Sequence, residues 1–534
     1  MTFLMPARAP LFGLYLIAAV FAAITSWHFA TFTADDAYIV GRYAVNARDV
    51  GDWAFNPGEP VSALTSPLHG LVLTGLSFIA SDPLPVYKAV ALMAVMASSM
   101  VLLVTYGVER SEAMPLAAVL VAPSVILWTF AGLETPLLAA IIMAMTAIGA
   151  QTQAGNARRL PVLAVLAGLA VLTRYDAVLF AGPVLLAALA QTGPSWKMRM
   201  MAVALAGVPP SLWFIYAWLH FGSVLPTSFY IKTPTAELHV VAANLRYMAE
   251  HLFIGGVGVM AVYAMAQVAG SGRWRTAAGE ELRARWGLHA GLVSVLVYGA
   301  SMATVHMMFA FRHFVPYFGA MALALAHFAR RADDGMAVRG SFRVSYAAGA
   351  AALLILLVHA FHAEAMYHRS LQGLGTFGEY GDQGVEGYAR DYVPAMMKNA
   401  ADVKAHWSTL NKGREPRIWT FAAGALPYTY REAYIYEALV SFRHRCPAEV
   451  GGSRPDGRVW RAHADYIHAF TRHGSLPRLL APVRTRQVRL VSEQPLHFNG
   501  RDERLLVYYN PAPLPNALPS QIDEPCAELS GEGR

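Results

Sequence analysis

The chain has 534 residues, 56% of them apolar and 14% charged, with a formal charge of +7 and a mean hydropathy of +0.38. Ordinary soluble domains carry about 25% charged and 45–50% apolar residues, so this composition argues against a soluble enzyme and excludes a disordered or collagen-like chain. Two cysteines, Cys446 and Cys526, are too few for a disulfide framework or a thiolate metal site. About half of the charged residues follow His362, so the positive balance points to a membrane protein and not to a nucleic-acid partner. The expected organisation is an α-helical polytopic membrane body over 1–363 and a water-facing domain over 364–534.

A span needs about 20 mainly apolar residues. Eleven segments qualify or nearly qualify: 11–30, 86–106, 114–131, 133–150, 160–173, 177–191, 200–221, 252–269, 287–310, 313–329 and 344–362. The first also fits a signal peptide, but cleavage near Ala30 would leave the next loop without its anchor. The apolar stretch 68–80 is too short for a comfortable span. Loop charge decides its role. If 68–80 stays on one side, Arg8, Arg110, Arg158, Arg159, Lys197, Arg199, Arg273, Arg275, Arg283, Arg285, Arg330, Arg331, Arg339 and Arg343 share the cytoplasmic face. Arg42, Arg48, Arg174, Lys232, Arg246 and Arg312 then lie outside. The stretch therefore reads as an interfacial or re-entrant helix in an outer loop, 31–85. The N-terminus is placed in the cytoplasm and the C-terminal domain outside.

The same topology sorts the unusual polar residues. Asp35, Asp36, Glu134, Arg174, Asp176, Lys232, Arg312 and His313 fall on the outer face, from five loops. Each alone is explained by the headgroup layer; their shared face is not. Adjacent carboxylates directly after a span need a cation, a donor or a substrate. One of them can cap a helix over 37–48, which leaves the other to be explained. Asn56-Pro57-Gly58 reads as a turn, and Thr65-Ser66-Pro67 as the start of the interfacial helix. Phe221–Lys232 suits an interfacial anchor or an anionic headgroup site. Arg312 at the outer boundary either snorkels or grips a phosphate through paired hydrogen bonds. There is no Walker A loop, no Gly-rich dinucleotide turn and no H-E-x-x-H helix. Nothing specific argues for a divalent metal, although carboxylates leave room for one.

The run Asp35-Asp36-Ala37-Tyr38, Arg42-Tyr43, Phe55-Asn56-Pro57-Gly58-Glu59 and Thr65-Ser66-Pro67-Leu68 resembles the first periplasmic loop of GT-C membrane glycosyltransferases. The resemblance is greatest to the branch that includes mycobacterial arabinofuranosyltransferases. Gly132-Leu133-Glu134-Thr135-Pro136, Thr173-Arg174-Tyr175-Asp176, Leu225–Lys232 and Arg312-His313-Phe314-Val315-Pro316 match that branch in order, with Tyr175 and Thr227 departing from its usual Pro and Asn. The matches cover roughly 12–330, and only a loose one, around Ala422–Tyr430, lies in the outer domain.

The resemblance implies a GT-C-like fold of about eleven transmembrane helices in a bacterial inner membrane. It also implies transfer of a sugar, such as arabinofuranose, from a polyprenyl-phosphate donor to a cell-envelope glycan, lipid or protein acceptor on the periplasmic side. The catalytic carboxylates would be Asp35 and Asp36, with Asp35 matched to the family's base and Asp36 left to cap the helix or orient Arg42. Arg312, Lys232, Arg174 and His313 would hold the donor phosphate; Glu134, Asp176, Tyr38 and Tyr230 would position substrate. No cofactor is firmly implied beyond the lipid-linked sugar donor itself, and the partners are the bilayer, donor and acceptor. A secondary transporter or flippase is the alternative, kept open by Pro209-Pro210, which breaks an expected span. A non-catalytic scaffold leaves the carboxylates unexplained. In the outer domain, Arg417–Ala423 and Leu505–Tyr509 read as strands, 458–473 as a helix and 511–525 as a Pro-rich tail. The predicted unit is a small α/β domain, and an oxidising compartment permits a bond between Cys446 and Cys526.

Overall fold

A computed structural model describes residues 9–108, 110–153, 156–191, 193–231, 238–271, 274–302, 309–333, 338–368, 384–437, 440, 461, 463–470, 487–498 and 501–513. Cys446, Cys526, Lys232, the side chain of Tyr230 and most of the Pro-rich tail lie outside them. The chain forms two compact units, Met1–Thr31 with Lys88–Leu212 and Ala236–Glu379, and Phe32–Tyr87 with Trp213–Thr235 and Tyr380–Arg534. The loop after the first helix thus belongs with the C-terminal segment and not with the helical body.

The first unit is helical. Among the described residues, five helical stretches are long and apolar enough to cross a membrane: Pro83–Tyr106, Ala113–Phe130, Thr135–Thr152, Trp196–Phe221 and Tyr346–His368. Shorter apolar helices cover Gly13–Phe29, Tyr175–Leu189 and Trp286–Ser301. Leu160–Thr173 and Phe318–Asp333 are helical as well. All eleven expected spans therefore contain helix. The stretch Ala113–Phe130 is two helices that meet before Pro123, which sits at the first position of the second. An additional helix, Leu238–Ile254, meets the next at 77° across Gly255 and Gly256. The helix Trp196–Phe221 runs through Pro209 and Pro210 without a break, which corrects the expected interruption. Membrane helices tolerate proline because neighbouring turns re-satisfy the freed carbonyls.

The second unit joins the outer loop to a sheet. Asp35–Asp49 is helical, and Pro67–Ser77 is a helix that packs on it, with proline at its first turn. At about 1.5 Å per residue the latter is half as long as a bilayer core is thick. The sheet order is β2-β1-β3-β5-β4, with β1 Arg417–Trp419, β2 Tyr434–Tyr436, β3 Tyr466–Phe470, β4 Arg489–Phe498 and β5 Arg501–Tyr509. β1 pairs in parallel with β2 and β3, while β5 runs antiparallel to β3 and β4. Helix Val393–Thr409 covers β4 and β5. The helix expected over 458–473 is corrected at 466–470, where the β-favouring Tyr-Ile-His-Ala-Phe run is the sheet's central strand, flanked on both sides.

Asn56 binds the loop to the sheet as if it were a strand residue. Its Nδ2 donates to the Ile435 carbonyl at 2.9 Å, and its Oδ1 accepts from the Ile435 N–H at 3.1 Å. Arg42, wholly buried, donates from Nε, Nη1 and Nη2 to the carbonyls of Phe55, Pro427 and Ala433 at 2.8, 2.6 and 2.8 Å. Burial pulls its pKa down to about 9, still high enough to keep the guanidinium charged at neutral pH.

Candidate functional site

In the first unit, three chain turns bring five of the sequence-predicted residues into one network, in which Glu134 and Arg312 are buried and Arg174, Asp176 and His313 half-buried. Glu134 follows Gly132, whose φ of 77° allows the tight turn between two helices, and it directly precedes the helix at Thr135. Arg174 caps Leu160–Thr173 in an extended conformation, and Asp176 lies in the 3₁₀ turn that follows. Arg312 and His313 come just after Ala310 and Phe311, both left-handed at φ 48° and 61°. Such conformations cost about 1–3 kcal/mol each and persist only where surroundings hold them. Here Trp128 Nε1 donates to the Ala310 carbonyl at 3.0 Å, and the Phe311 N–H donates to Tyr247 Oη at 3.2 Å.

Arg174 donates through a two-pronged fork to Asp176, at 3.0 and 2.9 Å, and from Nη1 to Glu134 at 3.2 Å. Its Nη2 also donates to His313 Nδ1 at 2.8 Å, which fixes that ring nitrogen as an acceptor. Arg312 Nη2 reaches both Glu134 oxygens at 3.1 Å, and its guanidinium lies 5.7 Å from the Trp128 ring centre. Burial disfavours the Arg174 charge, but Asp176 and Glu134 outweigh it and raise the pKa above the usual arginine value. Two guanidiniums and two carboxylates thus balance, and Glu134 sets both arginines from one position.

In the second unit, Asp35 and Asp36 occupy the first turn of the Asp35–Asp49 helix. The helix starts two residues earlier than expected, its N-cap is Ala34, and no side chain caps it. The capping role read from sequence is therefore corrected: both acids sit inside the first turn, where they face the positive end of the helix dipole. Asp36 is exposed and Asp35 half-buried. Asp35 Oδ1 accepts the Ala425 N–H at 2.8 Å, and the Asp35 N–H donates to Tyr388 Oη at 2.8 Å. Tyr38 is buried beside Tyr428, their ring centres 5.3 Å apart, and burial pushes its pKa up to about 12. Thr227, where the family carries Asn, binds the Ser62 carbonyl from N–H and Oγ1 at 2.7 and 3.0 Å. Tyr230 belongs to the short helix Thr227–Ile231. Tyr388, Gly424 and Ala425 escape a reading of the sequence; the loose family match around Ala422–Tyr430 is the signal that points there. Among the described residues, no group of three or more His, Cys, Asp or Glu is arranged to hold a metal ion.

No family model and no curated protein sequence matches the chain. Two solved structures of ArnT from Cupriavidus metallidurans share its architecture over nearly full length. The apo form is 14% identical with a TM-score of 0.56, and the form bound to undecaprenyl phosphate is 13% identical with a TM-score of 0.53. Each match covers 94% of this chain and 99% of the ArnT chain. The fold is that of the GT-C membrane glycosyltransferases. The chain's apolar helices and this fold are those of a multi-pass membrane protein. At this level of identity the likeness is one of fold.

Proposed function

We propose that the protein is a GT-C glycosyltransferase of a bacterial inner membrane that moves a sugar from a polyprenyl-phosphate donor to an acceptor on the periplasmic side. The observation that carries this reading is the full-length GT-C fold, shared with an ArnT structure bound to undecaprenyl phosphate, together with two arginines, Arg312 buried and Arg174 half-buried, held by one glutamate. Arabinofuranose is the donor sugar that the family motifs favour, and the acceptor is a cell-envelope hydroxyl.

In this reading the acceptor hydroxyl attacks the anomeric carbon through an oxocarbenium-like state. Asp35 takes the hydroxyl proton as the new C–O bond forms. The bond from the anomeric carbon to the phosphate oxygen breaks with its electron pair going to the phosphate. The leaving polyprenyl phosphate is already a stable anion, so it needs cations more than a general acid. From the family resemblance we assign that role to Arg312, Arg174 and Lys232; Glu134 and Asp176 hold the two guanidiniums. Asp35→Asn tests the assignment, since it keeps shape and removes the proton acceptor. Turnover should fall about 10²–10⁴-fold with donor affinity near the parent's. Retained turnover would remove Asp35 from the base role, and Asp36→Asn and then Glu134→Gln would be tested next.

A further inference from the structure

We propose that the segment Gly424-Ala425 of the C-terminal domain is the positioning device for the Asp35 carboxylate, so that the sheet domain is part of the catalytic apparatus and not an appendage. The inference rests on the transferase reading. A general base must be held to a fraction of an ångström, and a misplacement of about 1 Å can lower rate by about 10². Asp35 sits in the first turn of its helix, whose N-cap residue, Ala34, makes no side-chain capping bond.

The holding contacts come from far along the chain. The Ala425 N–H reaches Asp35 Oδ1 at 2.8 Å. Tyr388 Oη accepts the Asp35 N–H at 2.8 Å. Gly424 lies flat against the residue: a Cβ there would fall 2.2 Å from Asp35 Cγ and 2.3 Å from both its carbonyl oxygen and Oδ1. No side chain fits that gap, so the approach itself requires glycine. Fixing Oδ1 with a main-chain donor sets the plane of the carboxylate and thereby the direction of its second oxygen.

The segment is in turn braced from behind. Asn399 Nδ2 donates to His468 Nε2 at 3.2 Å, which makes Nδ1 the ring's N–H, and this donates to Thr420 Oγ1 at 3.0 Å. Thr420 Oγ1 then donates to the Ala422 carbonyl at 3.0 Å, two residues before Gly424. On the other side, Tyr428 donates to Asp82 at 2.8 Å and packs against Gly41 of the Asp35 helix. The loop therefore has fixed points before and after the contact with Asp35.

The test is a double-mutant cycle on the full-length protein in detergent, with kcat, donor KM and thermal midpoint measured together. Ala425→Pro removes the N–H at the first position of a helical turn and puts a ring carbon against Asp35 Oδ1 in its place. It should lower kcat roughly 10-fold or more while KM for a polyprenyl-phosphate sugar stays within about twofold. In an Asp35→Asn background it should have no further effect on the residual rate, because the group it positions has already lost its function. Tyr388→Phe, run through the same cycle, should behave in the same way and takes its place should Ala425→Pro fail to fold. An active parent and a slow Asp35→Asn, together with a cycle in which these changes leave kcat unaltered or slow both backgrounds equally, would overturn the inference and leave the transferase reading standing. A parent that turns over no donor would overturn that reading and the inference with it.

Discussion

Arg312→Ala separates phosphate binding from simple anchoring. The substitution removes a guanidinium whose Nη2 lies 3.1 Å from both oxygens of the buried Glu134. Stripping one partner from a buried ion pair typically costs about 3–5 kcal/mol. Glu134 keeps Arg174 at 3.2 Å, which places the loss at the lower end, about 3 kcal/mol. A charged hydrogen bond to a donor phosphate is worth about 1.5–3 kcal/mol, or roughly 10- to 150-fold in affinity. The assay is thermal or chemical unfolding in detergent with undecaprenyl phosphate added at 100 times the parent's Kd. Mass action then stabilises the parent by about 2.7 kcal/mol, but the variant by only about 0.3 to 1.4 kcal/mol. Arg312→Lys keeps charge without the planar fork and should fall between the two. If Arg312→Ala gains as much from the lipid as the parent does, the arginine is a structural partner of Glu134 and the phosphate assignment fails.

Three other expectations follow from separate features. Asn56→Ala deletes both hydrogen bonds to Ile435 at a buried site and should destabilise the sheet unit by about 2–3 kcal/mol, read as a lower thermal midpoint with protease sensitivity in 384–513. Burial holds His468 neutral, its pKa lowered to about 3. The unfolded chain binds a proton near pH 6.5 that the folded chain does not, so this contribution to stability is present above pH 6.5 and lost as pH falls from there toward 3; His468→Gln should flatten the fall in thermal midpoint between pH 7 and pH 5, and an unchanged slope would contradict it. Reporter fusions after Arg159, Lys197 and Arg331 should read cytoplasmic and one after Arg390 external; the reverse pattern would invert the proposed face of the site.

What can be read from sequence divides by distance along the chain. Apolar runs and loop arginines locate helix in all eleven expected spans, because lipid imposes a length and composition on each segment independently. Glu134, Arg174, Asp176, Arg312 and His313 stand out because ionisable groups at helix ends require a reason; that they form one hydrogen-bonded network depends on packing among three chain turns. The helix Leu238–Ile254 escapes a hydropathy reading, since Asn244, Arg246, Glu250 and His251 dilute its apolar signal. Tyr466–Phe470 reads as helix because short apolar runs carry no decisive period, and its β neighbours lie tens of residues away. The contact of Asp35 with Ala425 spans 390 positions. Only the loose match around Ala422–Tyr430 touches Gly424, and it does not name the partner, as the glycine matters only for what approaches it.

The central claim is sugar transfer from a lipid phosphate. Purified full-length protein, incubated with a panel of polyprenyl-phosphate sugars that includes arabinofuranose and with cell-envelope acceptors, should release free polyprenyl phosphate from at least one donor, and Asp35→Asn should slow that release about 10²–10⁴-fold. Folded protein that binds the lipids but releases polyprenyl phosphate from none of them would contradict the account.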